Sequence, residues 1–239
     1  MLRRLLITAL VAGLATGVLA TALHGVTTVP LILEAETYEN GDAGHSHTSA
    51  APFGARLVLA HAVGAAEGED GWAPADGVER MAFTLLANLV VATGFGLLLA
   101  AAFALRGKPV DLRSGVLWGI AGFAVFQLAP AAGLPPELPG SAAAELGARQ
   151  LWWLAAAAGA GAGIALLVFG KGRAWQAAGL VLIVLPHVVG APHPHGEIGA
   201  VPPELAAQYA ALSLAVGAVF WVLLGGLAGA VWQRLERDA

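Results

Sequence analysis

Apolar runs long enough to cross a bilayer follow one another along most of this chain, and nothing else in the sequence constrains its fold as tightly. A hydrocarbon core of ~30 Å takes about 20 residues of helix. Runs near that length occupy about residues 5–33, 81–105, 114–132, 149–170, 175–190 and 205–232 of the 239. Charged residues make up only 12% of the chain, where soluble domains carry about a quarter. The sequence therefore predicts an all-α integral membrane protein, one transmembrane domain over 1–239, with about six helices in three hairpins. A polar extracytoplasmic loop is expected over 34–79, with a short surface helix from Leu57 to Ala66.

The breaks between runs carry the sidedness. Arg106-Gly107-Lys108-Pro109 and Lys171-Gly172-Arg173 are basic turns. Counted by alternate connections, nine Lys and Arg fall at the two termini and over 106–113 and 171–173, and only Arg56, Arg80 and Arg149 fall on the opposite side. The positive-inside rule then places both termini in the cytoplasm. Ala20-Thr21-Ala22 resembles a signal-peptide cleavage site, but the apolar run continues past it, so the first run is read as a span. Acids run the other way, thirteen of sixteen lying on the outer side. Such a face collects cations.

Leu134-Pro135-Pro136-Glu137-Leu138 recurs as Val201-Pro202-Pro203-Glu204-Leu205, each after an outward run with a late proline, Pro130 or Pro186. A looser version runs from His24 through Pro30 to Glu34, which suggests three hairpins of like orientation. Pro-Pro-Glu also simply starts a helix, with Glu at the positive end of the dipole.

All seven His map to outer loops or outer span ends. His45 with His47, and His193 with His195, are H-x-H pairs, and in extended chain both imidazoles of a pair face the same way. Imidazole with carboxylate suits cobalt, nickel, zinc or copper(II). His187 follows Pro186 roughly 18 Å into the fifth run, counted from Trp175. An ionisable group at that depth usually meets a partner or a cavity, and the proline frees a carbonyl one turn back. The competing reading is a neutral His bonded across the bundle to Gln127 or Asn88. The candidate metal ligands are thus His24, Glu34, Glu36, His45, His47, His187, His193, His195, Glu137 and Glu204.

The sequence also excludes chemistry. Cysteine is absent, so disulfides and thiolate metal sites are ruled out. There is no P-loop, no H-E-x-x-H and no recognisable nucleophile and base pair, so no enzyme and no permanently bound cofactor are expected. Asn88 and Gln127 read as interhelical bonds, the Gly and Ala runs at 155–163 and 225–230 as close-packing surfaces, and Trp118, Trp152, Trp153, Trp175 and Trp232 as interfacial anchors.

Five segments in order resemble the CbtA family, the probable cobalt transporter subunits of bacteria. They are residues 30–39 (PLILEAETYE), 72–80 (WAPADGVER), 133–140 (GLPPELPG), 149–153 (RQLWW) and 185–192 (LPHVVGAP). The resemblance implies a multi-pass protein of the bacterial inner membrane that serves cobalt(II) uptake for cobalamin synthesis beside CbtB, a small one-span partner with histidines. Members of the family are often described with five spans, one fewer than the six runs here. Cobalt as cargo comes from the resemblance alone, since nickel and zinc fit the same donors. A permease that captures metal on outer His and Glu groups is the leading expectation. The alternative is a non-transporting subunit that binds metal and delivers it to a partner permease.

Overall fold

The computed structural model describes residues 1–42, 77–194 and 199–238, and these form seven helices with no strand among them. They are α1 (Leu2–Val26), α2 (Thr28–Asp42), α3 (Val78–Arg106), α4 (Leu112–Ala131), α5 (Leu146–Phe169), α6 (Arg173–Val189) and α7 (Pro203–Arg237). Five of them, α1, α3, α4, α5 and α7, are long and apolar enough to cross a membrane. The fifth expected span, 175–190, is α6, whose 17 residues reach only about 26 Å before Gly190 ends the helix at φ 91°.

The first apolar run is not one helix. Pro30 has no N–H for the carbonyl of Val26, and the Thr27 hydroxyl donates to the Leu23 carbonyl at 2.6 Å, so the chain bends at Thr27 and restarts as α2. α2 then continues to Asp42, which puts Glu34 and Glu36 on a helix where a loop was expected. The surface helix expected at 57–66 lies outside the described residues. In α4 the stretch Ala124–Leu128 is a π-turn, with the Ala129 N–H bonded to the Ala124 carbonyl. This wider turn comes just ahead of Pro130, which cannot donate to the carbonyl four residues back.

Helix pairing departs from three successive hairpins. α1 lies along α3, as the first hairpin requires, but α4 packs along α7 and α5 along α6, while α7 also flanks α1. Small residues decide these partners. Gly115 and Gly119 of α4 face Gly225 and Gly229 of α7 so closely that a methyl on Gly119 would collide with the Trp221 carbonyl. Gly163 meets Gly179 across α5 and α6 in the same way. Such contacts let backbones approach where lipid supplies no hydrophobic drive for association.

Ring and ion contacts align the ends. Arg4 pairs with Glu236 at 3.2 Å and lies 3.8 Å over the Trp232 ring, so the chain's first and last helices meet at one end of the bundle. Arg106 lies 4.8 Å over Phe169 at that same end, which brings both basic turns there. The buried core behind it is formed by Leu99, Phe103, Val110, Trp221, Leu224 and Trp232. At the opposite end Leu138 and Leu205, from the two Pro-Pro-Glu-Leu repeats, pack with Leu31 and Ala35 of α2 in a second buried cluster. Trp152 and Trp232 are therefore not interfacial anchors. Both are buried, whereas Trp175 is 54% exposed.

Candidate functional site

The end of the bundle with the two repeats holds most of the described candidate ligands. Glu36 of α2 accepts from the Arg80 guanidinium at 2.5 Å, which ties α2 to the start of α3 across the polar segment between them. Glu137, in the loop after α4, pairs with Arg149 of α5 at 2.5 Å. Both carboxylates thus have a fixed cation already. Arg80 and Arg149 both place their charge on acids at this end, a pairing that the count of basic residues per side does not reveal. Glu34 and Glu204 are exposed on the first turns after their prolines, and His193 is exposed beyond α6. His45, His47 and His195 lie outside the described residues.

His24 is near the end of α1, with its Nδ1 2.8 Å from the Thr28 hydroxyl across the bend. One ring nitrogen is therefore committed to the bend that separates α1 from α2. Asn88 behaves as expected of interhelical glue, its amide donating to Thr21 of α1 at 2.9 Å. Gln127 packs its amide against Gly217 of α7.

His187 differs from all of these. It lines an open pocket of about 370 Å³ formed by four helices and faced by Ala124, Leu128 and Ala131 of α4, Ala160 of α5, Ile183 of α6 and Leu214 of α7. The cavity's lining is apolar apart from the imidazole. Neither Gln127 nor Asn88 bonds to it, and no described residue supplies its ring nitrogens with a hydrogen bond. What orients it is Trp152, which meets the imidazole edge-on with ring centres 5.5 Å apart and donates its indole N–H to the Pro186 carbonyl at 3.1 Å. The Leu182 carbonyl, which loses its helical donor to Pro186, lies against Gly159 of α5 at a separation only glycine permits. The π-turn of α4 supplies Ala124 and Leu128 to the opposite wall. Two departures from regular helix, one in α4 and one in α6, thus face each other across the cavity. Among the described residues no three of His, Asp and Glu come together as a metal cluster.

The sequence signalled His187 and its proline but not the indole that holds them. Trp152 looked like a belt residue because it falls near the start of a span, and only the packing of α5 on α6 turns it inward.

Helices whose outward faces expose Leu10, Leu14, Val18, Leu86, Val90 and Leu154, around a closely packed interior and with charge confined to the two ends, define a multi-pass membrane protein. The chain belongs to the CbtA family, described as "Probable cobalt transporter subunit (CbtA)", whose profile matches residues 2–233, nearly its whole length. No curated protein and no solved structure matches it.

Proposed function

We propose that this protein carries cobalt(II) across the bacterial inner membrane as a transporter subunit, with both termini in the cytoplasm and α6 completing a six-helix path. The observation that carries this reading is His187, an imidazole with no hydrogen-bond partner among the described residues, at a pocket lined by four helices, in a chain of a cobalt transporter family. In it the outer acids raise the local cation concentration. The H-x-H pairs His45/His47 and His193/His195, with Glu34 and Glu204 nearby in sequence, take the ion from water. His24 and His187 receive it next, and Glu36 and Glu137 join when their arginines move aside. Imidazole binds these metals through a ring nitrogen that carries no proton.

The second reading, a subunit that binds metal and hands it to a partner permease, is favoured by a specific observation. Glu36 and Glu137 are already paired with Arg80 and Arg149, so the described part of the chain holds no finished ligand set. A one-span CbtB-type partner would then supply the missing donors.

Reconstitution of the purified chain in liposomes separates the two. Cobalt flux with the chain alone is the result expected of a permease, and binding without flux is the result expected of a delivering subunit. Running the assay with nickel and zinc reads the selectivity. Neither flux nor binding for any of the three would overturn both readings.

A further inference from the structure

The end of the bundle that gathers the termini also carries an uncompensated charge. Arg106 closes α3, Lys108 follows it, Arg113 is in the first turn of α4, and Lys171 and Arg173 flank the turn between α5 and α6. All five are exposed. None forms an ion pair among the described residues, whereas Arg4, Arg80 and Arg149 each pair with a glutamate. The one acid in this group, Asp111, is engaged by the hydroxyl and N–H of Ser114 and offsets only Arg113, leaving Arg106, Lys171 and Arg173 without an acid beside them among the described residues.

Three of these cations come from segments that the fold brings side by side. The Arg106 guanidinium is stacked 4.8 Å over Phe169, and Lys171 and Arg173 lie two and four residues beyond that ring. The Trp118 ring lies between those of Phe103 and Phe169, so α3, α4 and α5 come near one another at this corner. Arg173 also opens α6 at the positive end of its dipole, with no acid in the first turn, so the helix adds to the positive field. Directly on the membrane side of the cations lies a bare apolar face. Leu105 is 89% exposed, Val168 65% and Phe169 50%. Positive charge at headgroup level above exposed aliphatic and aromatic surface is complementary to one kind of molecule in a bilayer.

We propose that Arg106, Lys171 and Arg173 bind the phosphate headgroup of an anionic phospholipid in the leaflet at the termini, with its acyl chains against Leu105, Val168 and Phe169. The occupant is a lipid and not a free anion because the apolar face adjoins the charges. This site is independent of the metal path and holds whichever way the transport reading falls. Its role is to fasten the α5–α6 pair, which touches the rest of the bundle chiefly through the far end of α4.

The test uses the full chain in a neutral detergent, titrated with phosphatidylglycerol, phosphatidylcholine or inorganic phosphate, with lipid retention read by native mass spectrometry and unfolding read by heating. Each cation near a membrane surface contributes about a fivefold factor in affinity for anionic lipid, so the triple variant Arg106→Gln/Lys171→Gln/Arg173→Gln should lose about a hundredfold. A control triple on the same end, Arg3→Gln/Arg234→Gln/Arg237→Gln, should keep wild-type retention. Phosphatidylglycerol should raise the unfolding temperature of the wild type and the control but not of the site triple. Replacing Arg106 and Arg173 by Lys should restore most of the retention, which distinguishes lost charge from lost fold. Equal losses in both triples would mean diffuse surface charge and overturn the proposal. So would full retention in the site triple, or the same stabilisation by inorganic phosphate.

Discussion

At the scale of single residues, the interior of the bundle holds polar groups of two kinds. Asn88 and Thr21 are bonded to each other between helices. Thr8 and Thr16 on α1 are fully buried, and their hydroxyls have no partner among the described residues. A buried hydroxyl without a bond costs about 1–3 kcal/mol of desolvation, so an isosteric apolar side chain should do better there. Thr16→Val is expected to stabilise the protein by about 1 kcal/mol, read as a higher denaturation midpoint in detergent, whereas Thr21→Val should destabilise it because Asn88 loses its acceptor. Stabilisation by both substitutions would contradict the assignment. His187 belongs to neither kind. Its ring is packed by Trp152 yet takes no hydrogen bond from the described residues, which leaves its lone pair open to whatever enters the pocket.

At the scale of elements, glycines and caps set where helices meet and begin. Gly119→Ala places a methyl into the Trp221 carbonyl, so α4 and α7 must separate, at a cost of about 1–3 kcal/mol of the kind seen in overpacked cores. Gly94, with open space around it, should accept alanine with little effect, and equal losses at the two positions would refute the close-contact account. The start of α4 is held by a reciprocal capping box between Asp111 and Ser114. The hydrogen bonds from the Ser114 hydroxyl and N–H hold the Asp111 carboxyl below the usual carboxylate range. Because the folded value is the lower one, this cap supports the fold above the ordinary carboxylate value and is lost as pH falls through the folded value. Ser114→Ala should return Asp111 toward its ordinary titration and remove that acid-sensitive step. An unchanged Asp111 titration by NMR would contradict it.

Much of this level was legible in the sequence. The apolar runs located all of α3 to α7 to within a few residues because burial in lipid demands length and hydropathy, both local properties. Partners were not legible. The repeat of Pro-Pro-Glu suggested hairpins joined in order, but both motifs instead meet α2 through Leu138 and Leu205, and glycine faces matched α4 to α7. Complementarity of small residues between distant segments cannot be seen in either segment alone. The bend at Thr27 was hidden for a different reason, since threonine and proline interrupt a helix without interrupting its hydropathy.

At the scale of the whole molecule, the protein is a helical bundle with basic turns at one end and acidic hairpins at the other, and its irregular helices meet around one imidazole. The sequence singled out His187 beside the proline of an apolar run. It did not place the carboxylates, because the pairing of Glu36 with Arg80 and of Glu137 with Arg149 depends on which loops fold against which helices. Transport through this chain would therefore draw on a group that has no hydrogen bond to give up among the described residues, in contrast to His24, whose ring supports the α1–α2 bend. The most direct test is uptake of labelled cobalt by cells whose only copy is wild type, His187→Ala or Trp152→Phe, at matched membrane abundance. The account predicts that His187→Ala reduces uptake at least tenfold, roughly the loss of one metal–imidazole interaction made in transit, with Trp152→Phe intermediate because the ring is less firmly held. Wild-type uptake by His187→Ala would contradict it.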